Sequence, residues 1–285
     1  MKTSFLIKAS AYITILMASL MESKAQSGYE DESFVECTYT VKFLNDTTSK
    51  MSIEGEFISG DKGLVSNKYL LQIGRKASRY YPYSSFYRDS LKAYFGSLKG
   101  TGIKDVPEGF TSVIYKSRKG NETLTLEVVG DTPFKVKEND LDFGWNICDE
   151  YKDVAGYRCR KATCSFRGRE YEAWFSEDIP ISDGPWKFSG LPGLILEVYD
   201  IPCQYWYHLV SVKSITRQID IPNSQFVEVS LEEFYKNKRW ATEDAPAYFA
   251  ATSSKPLYVF DHQGNRMDPK LLVKKMKRDF EEIIR

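Results

Sequence analysis

Apolar and polar side chains alternate at period two along most of this 285-residue chain, and only three stretches change to the three-and-four spacing of a helix. Period two sends successive side chains to opposite faces, so the pattern predicts a chain dominated by half-buried strands. Phe34 to Phe43 is the first, and Tyr69 to Ile73 with Ala77 to Tyr81 form a hairpin about Gly74-Arg75. Strands follow at Thr111 to Lys116, Glu122 to Val129, Phe134 to Lys137, Phe143 to Cys148, Tyr157 to Phe166 and Tyr171 to Phe175, then at Leu194 to Tyr199 and Tyr205 to Thr216. The helical spacing runs from Ser84 to Leu98, where Phe86, Tyr87, Leu91, Tyr94 and Phe95 share a side. Two more helices close the chain: one capped by Ser230 with Glu233 in capping-box position, one opening at Asp268-Pro269. Strands joined by short turns pair antiparallel, because parallel neighbours need long crossovers. The expected fold is therefore β-rich α+β: a curved antiparallel sheet, of the half-open barrel type, with a few packed helices.

The stretch from Trp174 to Asp200 stands apart. Leu191-Pro192-Gly193-Leu194 has the composition of a type II turn, with proline presetting the second position and glycine supplying a positive φ at the third. Gly190, Pro192 and Gly193 are thus expected to form a structural corner, and Leu194 to Tyr199 a strand covered on both faces. The functional alternative is that Glu197 or Asp183, beside backbone that comes close at Gly184, Gly190 and Gly193, contacts a ligand.

Gly190 to Ile195 spells a hexapeptide, and upstream stand Gly156-Tyr157-Arg158-Cys159-Arg160-Lys161-Ala162 and Gly168-Arg169-Glu170-Tyr171-Glu172-Ala173-Trp174. With Leu71-Gln72-Ile73-Gly74 and Lys76 to Tyr81, these resemble the signatures of the GLPGLI family of exported bacterial proteins. The resemblance covers most of the chain beyond residue 25. It implies export and carries no activity with it.

Residues 1–25 have the form of a secretory leader: Lys2 and Lys8, an apolar run from Ala11 to Met21, and the small-residue site Ser23-Lys24-Ala25. Its apolar run is short for a membrane span and no second one follows, so no span is expected after processing. Cleavage removes three lysines and one glutamate from 39 basic and 39 acidic residues, leaving 36 against 38. A formal charge of −2 with no basic patch argues against nucleic acid or an anionic membrane as partner. Residues 26–285 contain no linker-like tract or fixed repeat, so one β-rich domain is expected, placed in the periplasm or cell envelope.

The search for chemistry returns little. Five cysteines suit an oxidising compartment; Cys148 and Cys159 face one another if Tyr151 lies opposite Gly156, whereas a one-residue shift puts Arg160 there. His208 lies within a strand and His262 in a turn, each without a partner at metal-ligand spacing, and no cofactor motif is present. Asp149-Glu150 and Glu177-Asp178 are adjacent pairs, which on a strand diverge to opposite faces. Aromatic residues supply the remaining candidates. Tyr81, Trp186 and Trp206, with Glu197, are the side chains expected to line a surface for an apolar or peptide ligand, with sheet packing as their alternative role. The sequence thus favours an exported, non-enzymatic binding, carrier or accessory protein. The alternatives are a hydrolase built on an acidic pair such as Asp183 with Glu197, and a structural partner of an envelope protein.

Overall fold

The computed structural model describes residues 29–44, 64–84, 112–130, 132–221, 226–252, 259–260 and 266–267. The leader at 1–25, nearly all of the helix expected over Ser84 to Leu98, the helix expected from Asp268, and His262 lie outside them. Strands dominate: β1 (Asp31–Leu44), β2 (Leu64–Gly74), β3 (Ala77–Pro82), β4 (Val113–Ser117), β5 (Glu122–Val129), β6 (Thr132–Asn139), β7 (Asn146–Val154), β8 (Tyr157–Phe166), β9 (Arg169–Ser176), β10 (Leu194–Asp200), β11 (Tyr205–Ile219) and the short β12 (Val227–Glu228). They form one 12-stranded sheet in the order β12-β6-β5-β4-β3-β2-β1-β11-β10-β9-β8-β7. All neighbours within it are antiparallel except β12 beside β6, as the short turns require. Two helices, α1 (Leu231–Glu243) and α2 (Ala245–Thr252), follow, and a separate two-stranded ribbon pairs β13 (Val259–Phe260) with β14 (Arg266–Met267).

Side-chain contacts reveal how strongly the sheet bends. Lys187 reaches Glu138 on β6 at 2.6 Å, while the ring of the next residue, Phe188, lies 5.0 Å from Tyr171 on β9. In a flat sheet β6 and β9, eight steps apart in the strand order, would stand roughly 38 Å from one another. The sheet therefore curls until those strands face each other across the segment 177–193. It remains open, however: among the described residues β12 and β7 end the order without pairing to each other, so the half-open barrel is a curled sheet and not a closed one.

That segment fills the concavity. Phe188 packs against Phe143, Trp186, Tyr171 and Tyr207, and Lys116 on β4 donates to the carbonyls of Gly184 and Phe188 at 2.7 and 3.2 Å. Tyr39, in the centre of β1, donates to the Ile195 carbonyl at 2.7 Å. The concave face thus carries Tyr39 and Val41 from β1, and the convex face carries Thr40 and Lys42. α1 begins at Ser230, whose Oγ accepts from the Glu233 amide at 3.1 Å, and it buries Phe234 and Tyr235 against Val129, Phe134 and Val136 of β5 and β6.

Three sequence expectations change here. Phe143 precedes β7 and serves the concave core, with its ring 4.4 Å from Phe166, so the strand expected at Phe143 to Cys148 begins only at Asn146. Gly193 lacks a positive φ; the left-handed residue of the corner is Gly190, at φ 93°. The Cys148–Cys159 pairing is also not made. The β7–β8 turn is two residues shorter than supposed, so Lys152 lies opposite Cys159, a register irregularity separates Ile147 from Tyr151, and all five cysteines are free thiols.

Candidate functional site

Each of the largest buried acids is held by cations. Asp183, on the concave side, is 2.5 Å from Lys116 and 3.4 Å from Arg118, and it accepts from the Gly184 amide. Asp200 is 2.5 Å from Arg169, and Glu138 is 2.6 Å from both Lys187 and Arg167. Burial pushes the Glu138 carboxyl up, but Lys187 and Arg167 outweigh it and hold it below the usual range. Such pairs fix the interior.

Glu197 belongs to a cross-strand row on the convex face. His208 on β11, Glu197 on β10, Trp174 on β9 and Lys161 on β8 stand opposite one another in turn. Glu197 sits 2.8 Å from His208 Nδ1 and 2.6 Å from Lys152 Nζ. The His208 ring stacks on Trp206 with centroids 5.0 Å apart, and Lys152 lies 4.4 Å over Trp174. Burial raises the Glu197 pKa, but the bonds from His208 and Lys152 win and it falls below the ordinary carboxylate value. A depressed folded-state pKa adds stability that is complete above the unfolded value and is lost as pH falls through the folded one. We therefore expect Glu197→Gln to lose about 1–3 kcal/mol near neutral pH and to flatten the acid limb of a pH-dependent urea-denaturation series.

The row overturns the acidic-pair idea. Glu197 lies on the Thr40 face through His208, its cross-strand link, whereas Asp183 faces Lys116 in the concavity. The two carboxyls occupy opposite sides of the sheet and cannot converge on one bond. Of the four aromatic and acidic candidates, Trp206 and Glu197 come together through His208. Tyr81 is distant on the same face, beneath the Arg79 guanidinium at 4.4 Å, and Trp186 is buried in the concave segment. Burial pushes the Cys159 and Cys164 thiols up to about 12, away from the reactive thiolate form. Among the described residues no group of three His, Cys, Asp or Glu side chains is placed to hold a metal ion.

Charges of both signs gather elsewhere. A cavity of about 270 Å³ opens on the concave side near the β7–β8 hairpin, lined by Tyr151, Arg158, Arg160, Phe175, Glu177 and Asp178. Arg158 and Arg160 share a face by period two, and Phe175 is the cross-strand partner of Arg160. Glu177 and Asp178 follow the end of β9 in a turn, not a strand, so both line the cavity instead of diverging. Ser176 fixes that turn: its Oγ donates to the Arg158 carbonyl at 2.9 Å and accepts from the Asp178 amide at 3.3 Å. Gly193 packs so closely behind it that a Cβ there would lie 2.2 Å from the Ser176 carbonyl oxygen. The glycine of the hexapeptide is required for close approach to the wall of this cavity.

No ion pair joins the arginines to Glu177 or Asp178 among the described residues. Arg160 instead donates to the Cys148 carbonyl at 2.8 Å and stands 3.9 Å from exposed Asp149, and Arg158 lies on the Tyr151 ring at 4.5 Å. Opposite charges thus line one small space held apart by a braced turn. Neither arginine stands among the candidates drawn from the sequence; the period-two spacing of Arg158-Cys159-Arg160 is the signal that places both on one face, whereas Tyr151 enters only through the hairpin register.

Comparison with known proteins agrees with the fold and stops short of a function. A family model described as a protein of unknown function (Porph_ging) matches residues 166–197, the span from the end of β8 through the hexapeptide to Glu197. No curated protein matches. Among solved structures, PNGF-II in a P21 crystal form is similar at 17% identity and TM-score 0.52, covering 74% of this chain and 34% of that one. A C2 form of PNGF-II gives 17% identity and TM-score 0.51 over 74% of this chain and 33% of that one. This chain spans about a third of the length of those structures. At that identity the likeness is one of fold alone.

Proposed function

We propose that this is an exported, non-enzymatic binding or accessory protein of the cell envelope, a member of the GLPGLI family, whose site is the cavity between β8 and the Glu177-Asp178 turn. The observation that carries the reading is the set of charges there, Arg158 and Arg160 with Glu177 and Asp178, lining one cavity without pairing to one another. A dipolar ligand supplies the missing counter-charges and meets an aromatic wall of Tyr151 and Phe175. The charged lining of this cavity of about 270 Å³ favours a peptide segment over apolar cargo. The committed state of the buried acids supports binding over acid-base chemistry, since Asp183, Asp200 and Glu197 each already hold a cation. Export rests on the leader pattern of residues 1–25, and family membership on the hexapeptide within the matched span.

The test is calorimetric titration and thermal shift with short peptides carrying both charges, set beside fatty acids. Peptides are expected to stabilise the protein and fatty acids to leave it unchanged. Arg158→Ala with Arg160→Ala should weaken peptide binding at least about tenfold, the worth of one charged hydrogen bond, with little change in the unliganded melting temperature. Stabilisation by fatty acids, or peptide binding indifferent to both arginines, would refute the assignment.

A further inference from the structure

β7 is the last strand of the sheet, and beyond β8 it has no partner among the described residues. Ala155 at φ 50° and Gly156 at φ 83° close its hairpin with both turn residues left-handed, the type I′ geometry of a two-residue loop. In that geometry Val154 and Tyr157 are the closing hydrogen-bonded pair, so Lys152 and Val154 direct their amides at β8. Tyr151 and Asp153, one step out of phase, direct theirs away from the sheet. An open edge of this kind is a template for another strand.

The side chains at this edge are arranged for a visitor. Ile147 is 39% and Tyr151 47% exposed, and both share the concave face with Arg160 through their partners on β8. Arg158 stands opposite Asp153, and its guanidinium lies on the ring of Tyr151, a residue of β7 itself. Residues of an added strand facing this side would fall beside Tyr151 and, two positions along, beside Asp153. The first is within reach of Arg158 and the second of the Asp153 carboxylate. A second copy of the chain fits poorly, because two-fold edge pairing would bring Asp149, Glu150 and Asp153 of one copy against the same acid-rich segment of the other.

We propose that an extended peptide adds to β7 as a thirteenth strand of the large sheet, bonded to the backbone of Tyr151 and Asp153 and presenting a carboxylate to Arg158 with a cation two residues away. This rests on the binding assignment above and specifies its ligand and its mode. The probe is an acetylated, amidated peptide alternating threonine with one glutamate and one lysine, followed by calorimetry and residue-level hydrogen exchange on the full chain. The peptide is expected to slow exchange at the Tyr151 and Asp153 amides, leaving Lys152 and Val154 as slow as before. Glutamine in place of its glutamate should weaken binding about tenfold, and Arg158→Ala should erase that difference. Asp153→Pro removes an outward amide without touching the ladder and should abolish binding in a protein whose near-ultraviolet circular dichroism is unchanged, while Asp153→Ala retains backbone pairing. Binding heat with no new protection at Tyr151 and Asp153 would overturn strand addition and leave the cavity assignment standing. The absence of heat with every charged peptide would remove both. Protection of those amides in the unliganded protein, rising with its concentration, would make a second copy the occupant and overturn the proposal.

Discussion

Arg169→Ala is expected to cost about 3–5 kcal/mol of folding stability, a fall of roughly 10 °C in melting temperature for a chain of this size. Arg169 and Asp200 are among the most deeply buried charges of the sheet, 2% and 0% exposed, with Nη1 2.5 Å from Oδ2. The carboxylate also accepts from the Gln204 and Tyr205 amides at 2.8 and 2.7 Å, which ties the β10–β11 turn to the start of β9. Despite these contacts burial dominates and raises the Asp200 pKa, the mark of a charge pair held deep in the sheet. Its importance lies in mutual dependence: alone, either member is an uncompensated charge in the core. The sign of the pH response follows. In Arg169→Ala the carboxyl loses a contact that lowers its pKa, so its folded-state value rises further above the unfolded one, and stability is lost as pH climbs through it. The deficit against the parent protein, measured by urea denaturation, should therefore be greatest near neutral pH and shrink as pH falls through the variant's raised folded-state value toward the parent's, because the unfolded aspartate is common to both and cancels. A second variant, Arg169→Met with Asp200→Asn, should recover much of the loss, because no charge is left unpaired and the asparagine oxygen can still accept from the Gln204 and Tyr205 amides. A deficit independent of pH would assign the effect to lost packing on the Tyr205 ring, 5.2 Å from the guanidinium.

Alternation made legible those elements whose two faces meet different surroundings. β5 and β8 occupy Glu122–Val129 and Tyr157–Phe166, the bounds their patterns indicate, because each has neighbours on both sides and distinct faces. β7 escaped because an edge strand is exposed almost throughout, which erases alternation, and because its register irregularity breaks the period. α2 was missed for a related reason: Ala245 to Thr252 is short and buries chiefly Tyr248. For the candidate site, period two put Arg158 and Arg160 on one face, but Glu177 and Asp178 join them only because β9 ends at Ser176. The buried ion pairs could not be read at all. Lys116 and Asp183 meet because a curled sheet brings β4 under a segment distant in sequence, and no local pattern encodes curvature of that degree.

Gly193 shows how a correct motif can have a different physical reason, and the difference is measurable. Were it the third residue of a type II turn, asparagine, which tolerates left-handed backbone, would replace it at little cost. Its φ is instead ordinary, and the constraint is space: an added Cβ would lie 2.2 Å from the Ser176 carbonyl oxygen, 2.6 Å from its carbon and 3.0 Å from the Glu177 nitrogen. These are backbone atoms, held by Ser176 pairing with Leu194 across β9 and β10, so they cannot rotate aside. Gly193→Ala and Gly193→Asn are accordingly both expected to destabilise by about 3 kcal/mol, since any side chain must push the two strands apart. Gly190, at φ 93° with only Trp145 nearby, should behave oppositely: alanine costs about 1–2 kcal/mol through backbone strain, and asparagine costs less. Denaturation midpoints for the four variants separate the explanations, because tolerance of asparagine at 193 would restore the turn and remove the contact. The same displacement would move Glu177 and Asp178 away from Arg158. Peptide affinity of any folded Gly193 variant should thus fall with its stability, while Gly190→Asn keeps the parent value.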